Sequence, residues 1–193
     1  MLNYVGPRGP IERTIMTNNP FARLPEVPGF TVTSTSVADG QPLPSAQMSG
    51  AFGVPGGKDV SPQLTWTGAP EGTRSYAVTM YDPDAPTGSG FWHWAVANIP
   101  ASVTSLTEGA GDDTGSGLPA GAFQLPSDDR ATRFIGGALP AGHGEHRYFI
   151  TVHALDVEDI GVPQDATPAL LGFNMASHIL GRATIIATAE TTA

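Results

Sequence analysis

The chain is broken too often for long regular elements. Glycine (24) and proline (18) recur through its 193 residues with no fixed period. Punctuation of this kind favours short strands joined by ordered turns. Between the breaks, FTVTSTSV (30–37), QLTW (63–66), SYAVTMY (75–81), FWHWAVAN (91–98), the second half of 133–157 and ATIIATAE (183–190) read as strands, on alternation and β-branched content. One segment, 165–183, has helical spacing. There Thr167 is the expected N-cap and Pro168 the first helical residue. Leu170, Leu171, Met175, His178 and Ile179 form an expected buried stripe, and Gly181 an expected stop. No strand–helix–strand alternation or internal repeat occurs. The expectation is a mainly β protein, an antiparallel β-sandwich of two sheets with one main helix. A proline-rich arm over 1–28 would lead into a single domain over 29–190.

Composition narrows the functions. The net charge is −9 and Lys58 is the single lysine, so no basic surface exists for nucleic acid or an anionic membrane. There is no cysteine, which removes disulfides and thiolate metal sites. No apolar run is long enough to span a membrane. The first 30 residues lack a basic start followed by an apolar stretch, so a cytoplasmic protein is expected. The doublets Asp112–Asp113 and Asp128–Asp129 do not have the spacing of a calcium loop and read as solvated loop. Nucleophile-elbow, phosphate-loop, dinucleotide and H-E-x-x-H motifs are absent, and HGEH (143–146) is a weak metal signal. The chain therefore reads as a binding protein, not an enzyme, with no cofactor and no resident metal.

Three segments carry chemistry. In DPDAP (82–86), Pro83 holds Asp82 extended and so aims its carboxylate; a rigid turn alone is the simpler reading of the same residues. In the strand that follows, plain alternation puts Trp92, Trp94 and Val96 on one face, and His93, Ala95 and Ala97 on the other. Small alanines beside His93 would leave a groove. In HRY (146–148), His146 and Tyr148 share a face while Arg147 points away. The upstream loop GGALPAG (136–142) has glycines whose N–H groups are expected to be free to face an anion. Two histidines, a phenol, free N–H groups and an aimed carboxylate suit a small anion, the carboxylate fixing a histidine tautomer.

SPQLTWTGAP (61–70), YDPDAPTGSGFWHWAVANIP (81–100) and GHGEHRYFITVHALD (142–156) together resemble the phosphatidylethanolamine-binding protein family, in its bacterial Raf-kinase-inhibitor-like branch. The likeness runs from about Phe30 to Ala189. It implies a two-sheet β-sandwich and a shallow pocket for phosphate, phosphorylethanolamine or a similar anion. Matched motif to motif, the ligand-binding residues fall on Asp82, Asp84, His93, Pro140, His146 and Tyr148, with Gly136 and Gly137 in the lining loop. The sequence lacks the C-terminal tyrosine of eukaryotic members and has Ala138–Leu139 where many relatives are richer in proline. The resemblance also implies a regulatory role, with a kinase or serine protease as partner, and a homodimer. Two alternatives stand beside the anion-binding reading: an inhibitor of a protein kinase or serine protease, by analogy to the family, and a metal-assisted hydrolase using Asp82, His93 and His146, with no nucleophile in evidence for it.

Overall fold

The computed structural model describes residues 18–190; the expected arm falls mostly outside them. Within them lie β1 (Thr31–Thr33), a short 3-10 turn (Ser45–Gln47), β2 (Leu64–Thr67), β3 (Ser75–Asp82), β4 (Phe91–Pro100), β5 (Ser105–Leu106), β6 (Phe123–Gln124), β7 (His146–Leu155), α1 (Pro168–Met175) and β8 (Ile179–Ala189). A small sheet has the order β1-β2-β5 and a large one β6-β4-β3-β7-β8. Every pairing between these strands is antiparallel. This is the mainly β, two-sheet architecture with one α-helix that the sequence predicts.

The large sheet is apolar on both faces, and this gives the protein two cores. Val78, Met80, Trp94, Val96, Ile150 and Ile185 pack toward Leu64 and Trp66 of the small sheet. On the other face Ala77, Ala95 and Ala97 pack with Leu155, Leu171 and Met175, so α1 covers part of that side. The alanines let the helix approach the sheet closely.

Several expectations change in three dimensions. The first strand stops at Thr33 because Ser34 turns the chain: its Oγ accepts from the N–H of Ser36 (3.0 Å) and of Val37 (3.1 Å). The helix is capped by Thr167, whose Oγ1 accepts from the Leu170 N–H at 3.2 Å, but it ends at Met175. Beyond it the chain joins β7 as a strand, with Leu155 opposite Ile179 and Ala154 opposite Gly181. A ladder along the whole of β7 satisfies more backbone groups than two further helical turns would. His178 therefore leaves the expected stripe and bonds Asp156 at 2.8 Å, and Leu170 is exposed. Gly181 is no helix stop. It is a strand residue where a Cβ would meet the Pro28 carbonyl oxygen at 2.9 Å. The acidic doublets are engaged within the fold: Asp112 caps a turn through Thr114 and Gly115, and Asp128 accepts from the Trp92 N–H.

Candidate functional site

Asp82 ends β3 and His146 begins β7, and the antiparallel pairing of these strands brings the two together. His146 Nδ1–H donates to Asp82 Oδ2 at 2.7 Å, and each side chain is only 1% exposed. The other oxygen, Asp82 Oδ1, accepts the N–H groups of Asp84 (2.8 Å) and Ala85 (3.0 Å). The DPDAP turn therefore folds onto the carboxylate that it aims. His146 Nε2 lies 2.7 Å from His143 Nδ1. It accepts from His143 when its ring is neutral and donates when its ring is charged. Both nitrogens of His146 are thus engaged. Among the described residues, no group of three or more His, Asp or Glu is arranged to hold a metal ion.

His93 reaches this site by a route that alternation does not predict. Met80 pairs with Trp94 but Tyr81 pairs with Trp92, so His93 is the extra residue of a β-bulge. The bulge separates residues expected on one face. Trp94 enters the core between the sheets, whereas Trp92 lies against Tyr81 on the other side, ring centroids 4.3 Å apart. Ala95 and Ala97 face the helix, not His93. His93 instead turns toward Tyr148, with ring centroids 5.2 Å apart. Its Nδ1–H donates to the Ile135 carbonyl at 3.0 Å. In the neutral ring this leaves Nε2 as a bare acceptor. His93 Nε2 and the Tyr148 hydroxyl are both buried, with no hydrogen-bond partner among the described residues.

Burial is the leading influence on both groups. It pushes the His93 pKa below its ordinary value, against the opposing pull of Asp82. It pushes the Tyr148 phenol up, and Asp82 and Asp84 add to that rise. The ring and the phenol are therefore both uncharged at neutral pH. Asp84 is also positioned here, but Arg147 holds it through Nε–Oδ2 and Nη2–Oδ1 bonds of 2.7 Å each. Burial raises the Asp84 pKa, yet the Arg147 bonds outweigh it and hold the carboxyl below the usual range.

Two of the loop's glycines, Gly136 and Gly137, do not present free N–H groups. Gly136 N–H donates to Asp59 Oδ1 at 2.8 Å, and Gly137 N–H donates to the Gln47 carbonyl at 3.0 Å. Close packing is what requires these glycines. A Cβ on Gly136 would lie 2.3 Å from the Met48 carbonyl carbon and 2.6 Å from the Ser49 nitrogen. A Cβ on Gly137 would lie 2.9 Å from the Tyr148 ring. Because backbone blocks the space beside Gly136, Gly136→Ala is expected to cost about 2–3 kcal/mol of stability, measured by urea unfolding. Pro140 is exposed and stands apart from the buried group. It lines a groove with Phe52, Val54 and Leu139.

So Asp82, His93, His146, Tyr148 and Gly137 converge, Asp84 and Gly136 brace them from the side, and Pro140 lies at the margin. Sequence reasoning missed His143 as the partner of His146, although the H-x-x-H spacing of HGEH was visible. It also missed Asp59, whose link to Gly136 spans the chain and leaves no local signal.

The β-sandwich closes a histidine–carboxylate pair, a phenol and an open ring nitrogen into one buried corner. Residues 33–190 match the family model described as phosphatidylethanolamine-binding protein. The chain belongs to that family. It is 46% identical over 156 residues to the UPF0098 protein YbcL of Escherichia coli (strain K12), covering 81% of this chain and 85% of YbcL. It is 44% identical over 154 residues to the UPF0098 protein YbhB of the same organism, covering 80% and 96%. The crystal structure of E. coli YbcL, described as a new member of the mammalian PEBP family, superposes with a TM-score of 0.82 at 43% identity, covering 86% of this chain and all of that one. No helix of the described residues is long and apolar enough to cross a membrane.

Proposed function

We propose that this protein binds a small phosphate-bearing anion, such as phosphate or a phosphorylethanolamine-like group, and acts through that binding without catalysis. The observation that carries the reading is the pair of buried, unpartnered polar atoms, His93 Nε2 and the Tyr148 hydroxyl, beside the Asp82–His146 pair. Buried polar groups left unpaired cost free energy, and a ligand oxygen would supply what they lack.

The neutral His93 ring offers an acceptor, not a donor. An anion therefore enters either carrying a proton of its own or with a proton taken up by the ring, and binding is linked to proton uptake. Affinity for inorganic phosphate is expected to fall as pH rises from 5.5 to 8, by up to about tenfold per pH unit. Tyr148→Phe removes one hydroxyl at nearly constant volume and is expected to weaken binding by roughly threefold to tenfold. Calorimetric titration with phosphate and with phosphorylethanolamine tests both points and separates the free anion from the headgroup. Affinity that is independent of pH and unchanged by Tyr148→Phe would sink the proposal.

A further inference from the structure

The outer face of the large sheet holds a cavity that shares no residue with the proposed anion site. It has a volume of about 480 Å³ and lies between the strands, α1 and the segment around Phe21. This is within the range of ligand pockets, roughly 300–1,000 Å³. Trp92, Phe149 and Phe173 contribute aromatic walls, and no residue lining the cavity carries a fixed charge. Phe21 packs edge-on against both Phe149 (6.1 Å) and His153 (6.3 Å).

Two independent features mark it as more than a packing fault. The first is His153, a lining residue that is only 4% exposed. Its Nε2 lies 3.0 Å from Thr79 Oγ1, and its Nδ1 has no hydrogen-bond partner among the described residues. The second is Gly172, midway along α1 and also lining the cavity. Glycine in a helix interior is less stable than alanine, and such a residue is normally excused by close packing. Here nothing lies within 4 Å of where its Cβ would stand. The helix forgoes stability at that position, and the effect is to keep the cavity open.

We propose that this cavity is a second binding site, for a neutral and largely apolar molecule with one hydroxyl, an alcohol or phenol, whose hydroxyl bonds His153 Nδ1. The tautomer explains the choice of group. If Thr79 donates to Nε2, then Nδ1 carries the proton; if Nε2–H donates to Thr79, then Nδ1 is a bare acceptor. A hydroxyl satisfies either case, whereas a carboxylate can only accept. Charge points the same way. Burial, with a smaller contribution from Arg182, pushes His153 down to about 3, so the ring is neutral at neutral pH. A carboxylate would lose its hydration with no opposite charge among the lining residues; Arg182 and Arg147 lie outside the lining, over the Phe21 and Phe149 rings at 5.1 Å and 5.7 Å from the centroids.

The test is titration of the full chain with 1-naphthol, naphthalene and 1-naphthoate. Tryptophan fluorescence reports occupancy and the imidazole ¹⁵N signals report the contact. 1-Naphthol is expected to saturate and to shift His153 Nδ1, naphthalene to bind roughly threefold to tenfold more weakly, and 1-naphthoate not to saturate. His153→Leu is expected to make 1-naphthol no better than naphthalene. Gly172→Leu fills the space from a helix that gains by the change, so it is expected to raise Tm while abolishing binding of both. Phosphate titrations are expected to be unaffected, so this proposal and the anion site fail separately. No saturation by 1-naphthol, equal binding of 1-naphthoate, or binding that survives Gly172→Leu would overturn it. Leu24 and Phe173 are exposed at the cavity mouth. A dimer in sedimentation that Phe173→Glu dissociates, with 1-naphthol binding only the monomer, would make this face an interface between copies and would also overturn it.

Discussion

Asp82→Ala is expected to lower the unfolding free energy by about 3–5 kcal/mol, a large share of the stability of a domain this size. Three donors converge on this carboxylate: His146 Nδ1–H and the backbone N–H groups of Asp84 and Ala85. All three would lose their acceptor, and His146 would stay buried. Removing one partner of a buried pair costs far more than the pair itself contributes, because the other is left unpaired. The midpoint of urea unfolding measures the loss. A change under about 1 kcal/mol would mean that water reaches this corner and replaces the carboxylate.

Asp82→Asn separates the turn from the pair. Its amide oxygen can still accept from Asp84 and Ala85, but its NH₂ then faces His146 Nδ1, where two donors would oppose each other. His146 is expected to move its proton to Nε2, and the order of donation toward His143 then reverses. Imidazole ¹⁵N spectra report the switch directly, and the stability loss is expected to be about half that of Asp82→Ala, since the turn survives. An unchanged tautomer would show that Asp82 does not set the ring's protonation.

How far the sequence could be read follows from how local each cause was. The Asp82 turn is legible because prolines act on their own neighbours, and the two-residue spacing of His146 and Tyr148 is legible because β7 runs beside β3 without a register shift. The bulge at His93 was not legible. It depends on how β4 registers against β3, and a run of FWHW has no internal mark of the extra residue. The same limit explains the helix. Its start is set by Thr167 and Pro168, which are local, while its end is set by the ladder with β7, which is not. The glycines of 136–137 were visible, but their reason was misread. Glycine signals either a free backbone or a close neighbour, and only the position of Met48 and Tyr148 decides between them.

Stability is expected to fall steeply between pH 6.5 and 4, before most carboxylates titrate, because two neutral histidines are buried. His153 is pushed down to about 3, and His93 is also lowered, in both cases chiefly by burial. The unfolded chain binds these protons near pH 6.5, whereas the folded chain does not. Protons therefore favour the unfolded state throughout the window between the two values. The stabilisation is complete above pH 6.5 and is lost as pH falls toward the folded value, at up to about 1.4 kcal/mol per pH unit for each histidine. For His153 alone, descent from pH 6.5 to 4.5 is expected to cost about 2–3 kcal/mol. Asp59 and Asp84 act later. Burial raises both, but the Gly136 and Ala51 N–H groups on one and Arg147 on the other hold them below 3.8, so their effect begins only near pH 4. Urea unfolding of the wild type and His153→Leu across pH 7 to 4 isolates the histidine, since the carboxylates cancel in the difference. That difference is expected to shift in favour of the variant as pH falls. Parallel pH curves would show that His153 charges within the folded protein, with Thr79 and water supporting the cation.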